Sequence, residues 1–353
     1  MPLTQAKIAF APPPPHFLTK SLIGLVSFVS LLMIGCDVSQ SERDKHYFTV
    51  SFYDANLDLN GSVSVKSPIN IAQLKIDLGL SATKLYRAGS EDDVINQTSY
   101  PITGDTNFYF DLNVTEITDQ AGLADINATA ATLGGKYILL NDIALDESGA
   151  GFEPTYGWKP MGDSYSSFTG IFNGNGHKIT GLWIERPSMN FVGLFGRADT
   201  GAMIKNIGVE IANGKTVKGN QQVGGIVGSA MYSTITNSYS TGNISGTGNY
   251  VGGIAGGATG NITNSYSTGN ISGTEGVGGI VGRVANGSIT NSYATGNISG
   301  TQYVGGIVGY VATGGDITNS YATGNISGTQ YVGGVVGSVY YGTVTNNAAI
   351  NPS

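Results

Sequence analysis

The sequence predicts an all-β protein whose larger part is a right-handed parallel β-helix, or solenoid, of about seven coils. Nineteen residues at 291–309, NSYATGNISGTQYVGGIVG, return at 319–337 with one change, and a related unit recurs along the chain. Glycine disfavours a helical unit, because it costs about 1 kcal/mol relative to alanine in a helix interior. Short alternating runs between Gly and Asn are instead the signal of strands and turns.

Two landmarks define the repeat. The triplet Val-Gly-Gly recurs at intervals of 28, 26, 27 and 28 residues, beginning at Val223, Val251, Val277, Val304 and Val332. Two or three short strands per unit have one apolar face, which only stacking on a copy can bury. Stacking in register would align the Thr-Asn-Ser-Tyr landmark into two structural ladders. Their members are Asn237, Asn264, Asn291 and Asn319, and Tyr239, Tyr266, Tyr293 and Tyr321.

The repeats resemble the GLUG motif, a glycine-rich unit of many bacterial surface proteins. Residues 135–145, 158–163 and 168–184 are similar to the coils that precede such repeats. The resemblance implies a capping helix and linker over 116–136 and a GLUG-type solenoid over 137–353. It also implies a secreted or surface-attached, adhesin-like protein.

The N-terminus predicts export. An uncharged apolar run at 21–35 suits a signal peptide over 1–35, because a membrane-spanning helix needs about 20 residues. The sequence Met-Ile-Gly-Cys resembles a bacterial lipobox, which implies that Cys36, the chain's single cysteine, is lipidated and anchors the chain to a membrane. A plain signal peptide with an incidental buried cysteine is the alternative. We expect a location in the bacterial cell envelope, at the outer membrane or cell surface in preference to the inner membrane.

Between the anchor and the repeats, residues 36–46 are expected to form a polar tether and 47–115 a small β-sandwich-like module. Alternating apolar residues over 47–65 and 107–112 predict its strands. Residues 54–61 have a weak similarity to a calcium-binding EF-hand loop. However, Leu59 and Val65 occupy the positions that this loop gives to Gly and Glu. No metal site is therefore predicted.

We predict no catalytic residues and no cofactor. Residues 221–353 contain only three charged side chains, Glu275, Arg283 and Asp316, whereas glycan cleavage by acid–base chemistry needs two positioned carboxylates. A net charge of −7 without a basic patch argues against nucleic acid as a partner. A site near the preceding coils stays open, because carboxylates occur there at Asp142, Asp146, Glu147, Glu153 and Asp163.

The favoured function is a non-catalytic adhesion or interaction module that binds a surface glycan or a protein. A passive stalk is the alternative, and a polysaccharide-processing or ice-binding β-helix ranks last. The loops that follow Val-Gly-Gly differ between units, and we expect them to line one binding edge, although neutral drift would produce the same variation. Tyr and Arg are favoured binding anchors, and this edge is expected to contain Tyr232, Arg283, Tyr310, Tyr340 and Tyr341. An exposed strand edge at the C-terminal coil is a template for pairing. We therefore expect that end to dock on a partner or to associate end to end with a second copy, a truncated sequence being the alternative.

Overall fold

The computed structural model describes residues 47–66, 106–109 and 113–350. The predicted signal peptide, lipidated Cys36 and tether lie outside the described residues. The chain divides into two compact units, Met1–Thr115 and Glu116–Ser353. Among the described residues, no helix is long and apolar enough to cross a membrane.

The described part of the first unit is a three-stranded sheet. Strand β1 (Tyr47–Tyr53) lies between β2 (Leu59–Lys66), with which it is antiparallel, and β3 (Thr106–Tyr109), with which it is parallel. Phe52 and Phe108 are buried on one face, with ring centroids 5.9 Å apart. The other strands expected within 67–105 lie outside the described residues, so the sandwich stays a prediction.

The segment with the weak EF-hand similarity is the turn between β1 and β2. The Asp54 carboxylate accepts hydrogen bonds from the backbone N–H groups of Asn56, at 2.8 Å, and Asp58, at 2.9 Å. Leu57 adopts φ 60° and is buried. These contacts assign Asp54 to closing a hairpin.

The second unit is a parallel β-solenoid of about six turns, which confirms the predicted fold class. It contains one short α-helix, α1 (Gln120–Asp125), whose first turn is capped by the Asp119 carboxylate, and a 3-10 turn at Thr132–Gly134. Each complete repeat coil holds five short strands, so the expectation of two or three was wrong. Residues with left-handed φ, such as Asn237 and Gly242, interrupt the extended runs. The right-handed sense of the coil stays a prediction.

Strands at equivalent positions of successive coils form five sheets, numbered here in the order in which the chain visits them; sheet three also contains an antiparallel pair within one coil, Phe152–Glu153 and Gly157–Trp158. Sheet one consists of Val114–Ile117, Lys136–Leu139, Ile171–Asn173, Met203–Lys205, Thr234–Thr236, Asn261–Thr263, Ser288–Thr290, Asp316–Thr318 and Thr343–Thr345. Sheet two consists of Ile143–Ala144, Lys178–Leu182, Gly208–Ile211, Tyr239–Thr241, Tyr266–Ser267, Tyr293–Ala294, Tyr321–Ala322 and Ala348–Ala349. Sheet three consists of Phe152–Glu153, Gly157–Trp158, Ile184–Glu185, Thr216–Gly219, Asn243–Gly246, Ile271–Ser272, Ile298–Ser299 and Ile326–Ser327.

The last two sheets contain the Val-Gly-Gly landmark and the strand that follows it. Sheet four consists of Val223–Gly224, Asn249–Gly252, Glu275–Gly278, Gln302–Gly305 and Gln330–Gly333. Sheet five consists of Phe195–Ala198, Val227–Ala230, Ala255–Ala258, Val281–Val284, Val308–Val311 and Val336–Val339. Described strand pairs of the repeat coils are parallel and in register, as in Tyr266 with Tyr293 and Val277 with Val304.

One apolar core runs through the solenoid. In the repeats it consists of columns of Ile and Val, such as Ile235, Ile262 and Ile289 of sheet one, each fully buried. Aromatic rings fill the wider preceding coils, where the centroids of Phe168 and Phe195 are 4.8 Å apart. In-register stacking therefore produces the burial that a single unit could not achieve.

Glycine is required where sheets four and five pack with their backbones in contact. A Cβ added to Gly256 in sheet five would lie 2.3 Å from the carbonyl carbon of Gln222 and 2.3 Å from the backbone nitrogen of Val223. Gly282 has the same relation to Tyr250 and Val251, at 2.5 and 2.4 Å. The recurring glycines thus allow two sheets to approach more closely than side chains would permit.

Candidate functional site

The Thr-Asn-Ser-Tyr segment makes the corner between sheets one and two. Its asparagine has a left-handed backbone, with φ from 51 to 53° at Asn237, Asn264, Asn291 and Asn319. The side-chain amide of Asn264 donates to the Asn237 side-chain oxygen at 3.2 Å, and Asn291 donates to Asn264 at 3.2 Å. Asparagine tolerates this backbone better than most residues, so this column shapes the corner and links the coils.

The serine of the same segment forms a buried ladder that sequence reasoning missed. The Ser265 hydroxyl accepts from the backbone N–H of Ser238 at 3.3 Å and donates to the Thr263 carbonyl at 3.0 Å. The same pair of bonds recurs one coil later through Ser292. The available signal was the recurrence of serine in every Thr-Asn-Ser-Tyr unit.

The predicted tyrosine column lies on the surface of sheet two. Its rings stack at centroid separations of 4.9, 4.8 and 5.0 Å, with planes within 8° of parallel. The first hydroxyl, of Tyr239, donates to the Glu210 carboxylate at 3.2 Å, and Lys178 contacts the same carboxylate at 3.2 Å. Burial and then the Glu210 charge raise the pKa of Tyr239 to about 12. Since each ring face covers a neighbour, this ladder offers mainly ring edges to solvent.

A second column was not anticipated, and it lies just before each Val-Gly-Gly and before the equivalent Val192-Gly193 of the preceding coil. One residue per coil has a left-handed backbone there, and the column consists of Phe191, Gln222, Tyr250, Gly276, Tyr303 and Tyr331. Tyr303 and Tyr331 stack with centroids 5.0 Å apart. The available signal was the aromatic residue that precedes the triplet in three of the five repeats.

Outward residues of sheet five lie beside this column. Tyr310 packs on Tyr303 at a centroid separation of 5.3 Å, and the Arg283 guanidinium carbon lies 5.7 Å from the centroid of the Tyr250 ring. Arg283 and Tyr310 are register partners on adjacent strands. We call Tyr250, Arg283, Tyr303, Tyr310 and Tyr331 the tyrosine patch.

The expected binding edge of five loops was wrong in its placement of two residues. Arg283 and Tyr310 belong to sheet-five strands rather than to loops, because these strands extend one residue past each outward position. Tyr232 does follow a sheet-five strand and is 59% exposed, but about 19 Å of rod separates its coil from that of Tyr341. Tyr340 and Tyr341 make a local edge-to-face pair at 4.5 Å.

The carboxylates of the preceding coils are engaged in turns and ion pairs. Asp142 lies 3.1 Å from His177, and hydrogen bonds from the Lys178 backbone and from His177 lower the pKa of Asp142. Glu153 pairs with Arg186 at 3.0 Å. Within the described ranges, no group of three or more His, Cys, Asp or Glu residues could hold a metal ion.

Comparison with known proteins identifies the repeats. Four consecutive segments match the family model described as the GLUG motif, at 219–245, 247–272, 273–299 and 300–327. The chain carries GLUG repeats. Each matched segment covers one coil, from the end of sheet three through the corner with the asparagine and serine columns and back to sheet three. The predicted resemblance is therefore confirmed for the repeat region.

Two curated relatives are similar to part of this chain. Halomucin of Haloquadratum walsbyi is 34% identical over 151 residues, which cover 41% of this chain and 2% of halomucin. A protein of Evansella cellulosilytica, provisionally named a Gly-rich membrane protein, is 43% identical over 51 residues, which cover 14% of this chain and 6% of that protein. The chain thus spans only a small fraction of the length of either relative.

A solved structure from Bacteroides ovatus, provisionally described as an immunoglobulin A1 protease, superposes with a TM-score of 0.48 at 22% sequence identity. The superposition covers 68% of this chain and 84% of that one. A similarity at this level does not bear on activity.

Proposed function

We propose that this GLUG-repeat solenoid is a non-catalytic interaction module of the cell envelope that binds a partner outside the cell. The observation that carries the proposal is the tyrosine patch, in which aromatic rings and a guanidinium share one surface of a hydrogen-bonded scaffold. Tyrosine supplies large contact area at a low cost in side-chain entropy, and Tyr and Arg are favoured at the energetic centres of interfaces. Strands fix the positions of these groups before a partner arrives, which reduces the entropy lost on binding.

The envelope location is part of the same proposal. It is supported by the signal-like segment, by the lipobox resemblance at Cys36 and by the name of the Evansella cellulosilytica relative, which describes a membrane protein. In a bacterial host, a fatty-acid analogue should label the wild-type chain and fail to label Cys36→Ser. Equal labelling of the two chains, or labelling of neither, would contradict the lipid anchor.

The interaction role can be separated from a passive stalk by a binding screen. The purified chain would be applied to an array that contains extracellular glycans and extracellular proteins. A saturable signal on at least one class of partner is expected, and heat-denatured chain should lose that signal. A stalk that only holds another domain away from the membrane would give no saturable signal on either class.

A further inference from the structure

Three tyrosines of the patch occupy a backbone conformation that bulky residues rarely adopt. Tyr250, Tyr303 and Tyr331 have φ of 67, 55 and 54°, and the equivalent residue of the intervening coil is Gly276, at φ 66°. A side chain at positive φ costs stability relative to glycine, and Gly276 demonstrates that the solenoid accepts glycine here. The fold therefore does not require these rings, and strain of this kind clusters at functional sites.

Gly276 interrupts this column of side chains. Tyr303 is covered on one side by Tyr331, whereas the coil on its other side presents no side chain at this register. The Tyr250 ring leans over Gly276, since a Cβ added there would lie 2.6 Å from Tyr250 Cδ1. The Tyr250 ring thus occupies the space that Gly276 leaves, and Gly276 is buried beneath it. In the sheet-two tyrosine ladder, by contrast, stacked neighbours cover the ring faces.

Polar groups border these rings. Glu275 and Gln302 are register partners at the position directly before Gly276 and Tyr303, and both are half-buried. Burial, the Tyr331 hydroxyl and the Glu275 carboxylate, in that order, raise the pKa of Tyr303. Among the described residues, none forms an ion pair with Glu275 or Arg283. One carboxylate, one guanidinium and an amide are therefore available as hydrogen-bonding groups, with no net charge.

We propose that the tyrosine patch binds an uncharged glycan, with a sugar ring packed against the aromatic rings of the patch. The apolar C–H face of a pyranose suits an aromatic ring, and its hydroxyls suit Glu275, Arg283 and Gln302. The equal charges of the patch and the net charge of −7 disfavour an acidic polysaccharide. This inference deepens the proposed interaction function and rests on it.

The test uses two variants of the patch. In each one, the new residue already occurs at the equivalent position of a neighbouring coil. Tyr303→Gly copies Gly276, and Tyr310→Ser copies its register partner Ser338. Both should fold, because the solenoid already accepts each replacement residue at this register, and in Tyr303→Gly the relief of positive φ offsets part of the ring contacts that are lost. Tyr293→Ser is the matched control, since it removes one ring from the sheet-two ladder and leaves the patch intact.

Affinity electrophoresis of the full chain would use gels containing a soluble β-glucan, arabinoxylan or galactomannan, with polygalacturonate as an acidic comparison. At least one uncharged polysaccharide should retard the chain, and each patch variant should weaken this retardation at least tenfold, whereas Tyr293→Ser should not. The proposal would be overturned if both patch variants were retarded as strongly as the wild-type chain. It would also be overturned if polygalacturonate were the only polysaccharide that retards the chain. Saturable binding of a protein on the array, without binding of any glycan, would overturn the glycan proposal but leave the interaction function standing. No binding to any glycan or protein would contradict both the glycan proposal and the interaction function.

Discussion

Two adjacent glycines of sheet five give opposite predictions for the same substitution. Gly256 is buried against backbone, where an added Cβ would lie 2.3 Å from Gln222 and Val223 atoms. Gly257 faces outward, and its added Cβ would first meet the end of the flexible Gln222 side chain at 2.9 Å. Arg283 and Tyr310 occupy the register of Gly257 in later coils, whereas Gly282 and Gly309 keep the register of Gly256.

The magnitudes follow from these distances. Ordinary contact begins at 3.4 Å, so Gly256→Ala must push sheets four and five apart by about 1 Å. Overpacking of a core costs about 1–3 kcal/mol, and backbone on the opposing side puts this case at the upper end. Alanine also restricts the unfolded chain, which returns about 0.4–1 kcal/mol. We expect Gly256→Ala to lower the free energy of unfolding by about 2 kcal/mol, or about 4–8 °C in melting temperature for a unit of this size.

Gly257→Ala is the matched control, and it should raise the free energy of unfolding by about 0.4–1 kcal/mol, because only the unfolded-state term applies. Urea unfolding followed by far-ultraviolet circular dichroism measures both variants against the wild type. Effects of the same sign and size would refute the assignment of Gly256 to a backbone-to-backbone contact between the two sheets.

Three further substitutions test the ladders. Ser265→Ala should lower the free energy of unfolding by about 1–3 kcal/mol in the same urea assay, because it leaves the buried Ser238 N–H without its acceptor. Ser272 is exposed, so Ser272→Ala should change this free energy by less than about 0.5 kcal/mol, and equal effects of the two substitutions would contradict the serine ladder. Asn264→Ala should cost about 1–2 kcal/mol more than Asn264→Gly, since only alanine is strained at φ 51°, and similar losses for the two would show that hydrogen bonding alone fixes this corner. Tyr239 has a pKa raised to about 12 in the folded chain, so its contribution to stability is complete below pH 10 and is lost as the pH rises towards 12. Tyr239→Phe should therefore reduce the fall in melting temperature at alkaline pH, and an unchanged pH profile would contradict the role of the Glu210 contact.

The sequence was sufficient to predict the solenoid because identical units leave few alternatives to stacking in register. The columns that contain Asn264 and Tyr266 could be predicted for the same reason, since each residue position of the repeat corresponds to one position in the coil. The burial of the side chains at this corner could not be predicted. Ser265 lies between Asn264 and Tyr266 and is buried, and alternation alone does not say which residue of a left-handed corner turns inward.

The tyrosine patch was harder to predict, because a break in alternation and a close contact between two sheets create it. Positive φ at Tyr303 turns its ring outward beside Gln302, although adjacent strand residues normally face opposite sides. Close packing of sheets four and five then brings Tyr310 beside Tyr303. The repeat predicts that Arg283 and Tyr310 recur at one position, but only the strand bounds show that this position lies in a sheet.

A chemical-shift titration of isotope-labelled tyrosine rings in the full chain would test directly whether the tyrosine patch is the interaction surface. The titrant is the uncharged polysaccharide that retards the chain most strongly, cut to soluble oligosaccharides. We expect shifts in the resonances of four rings only, those of Tyr250, Tyr303, Tyr310 and Tyr331. The resonances of Tyr239, Tyr266 and Tyr293 should not move. Shifts centred on the sheet-two ladder, or an absence of shifts in the patch at saturation, would contradict this expectation.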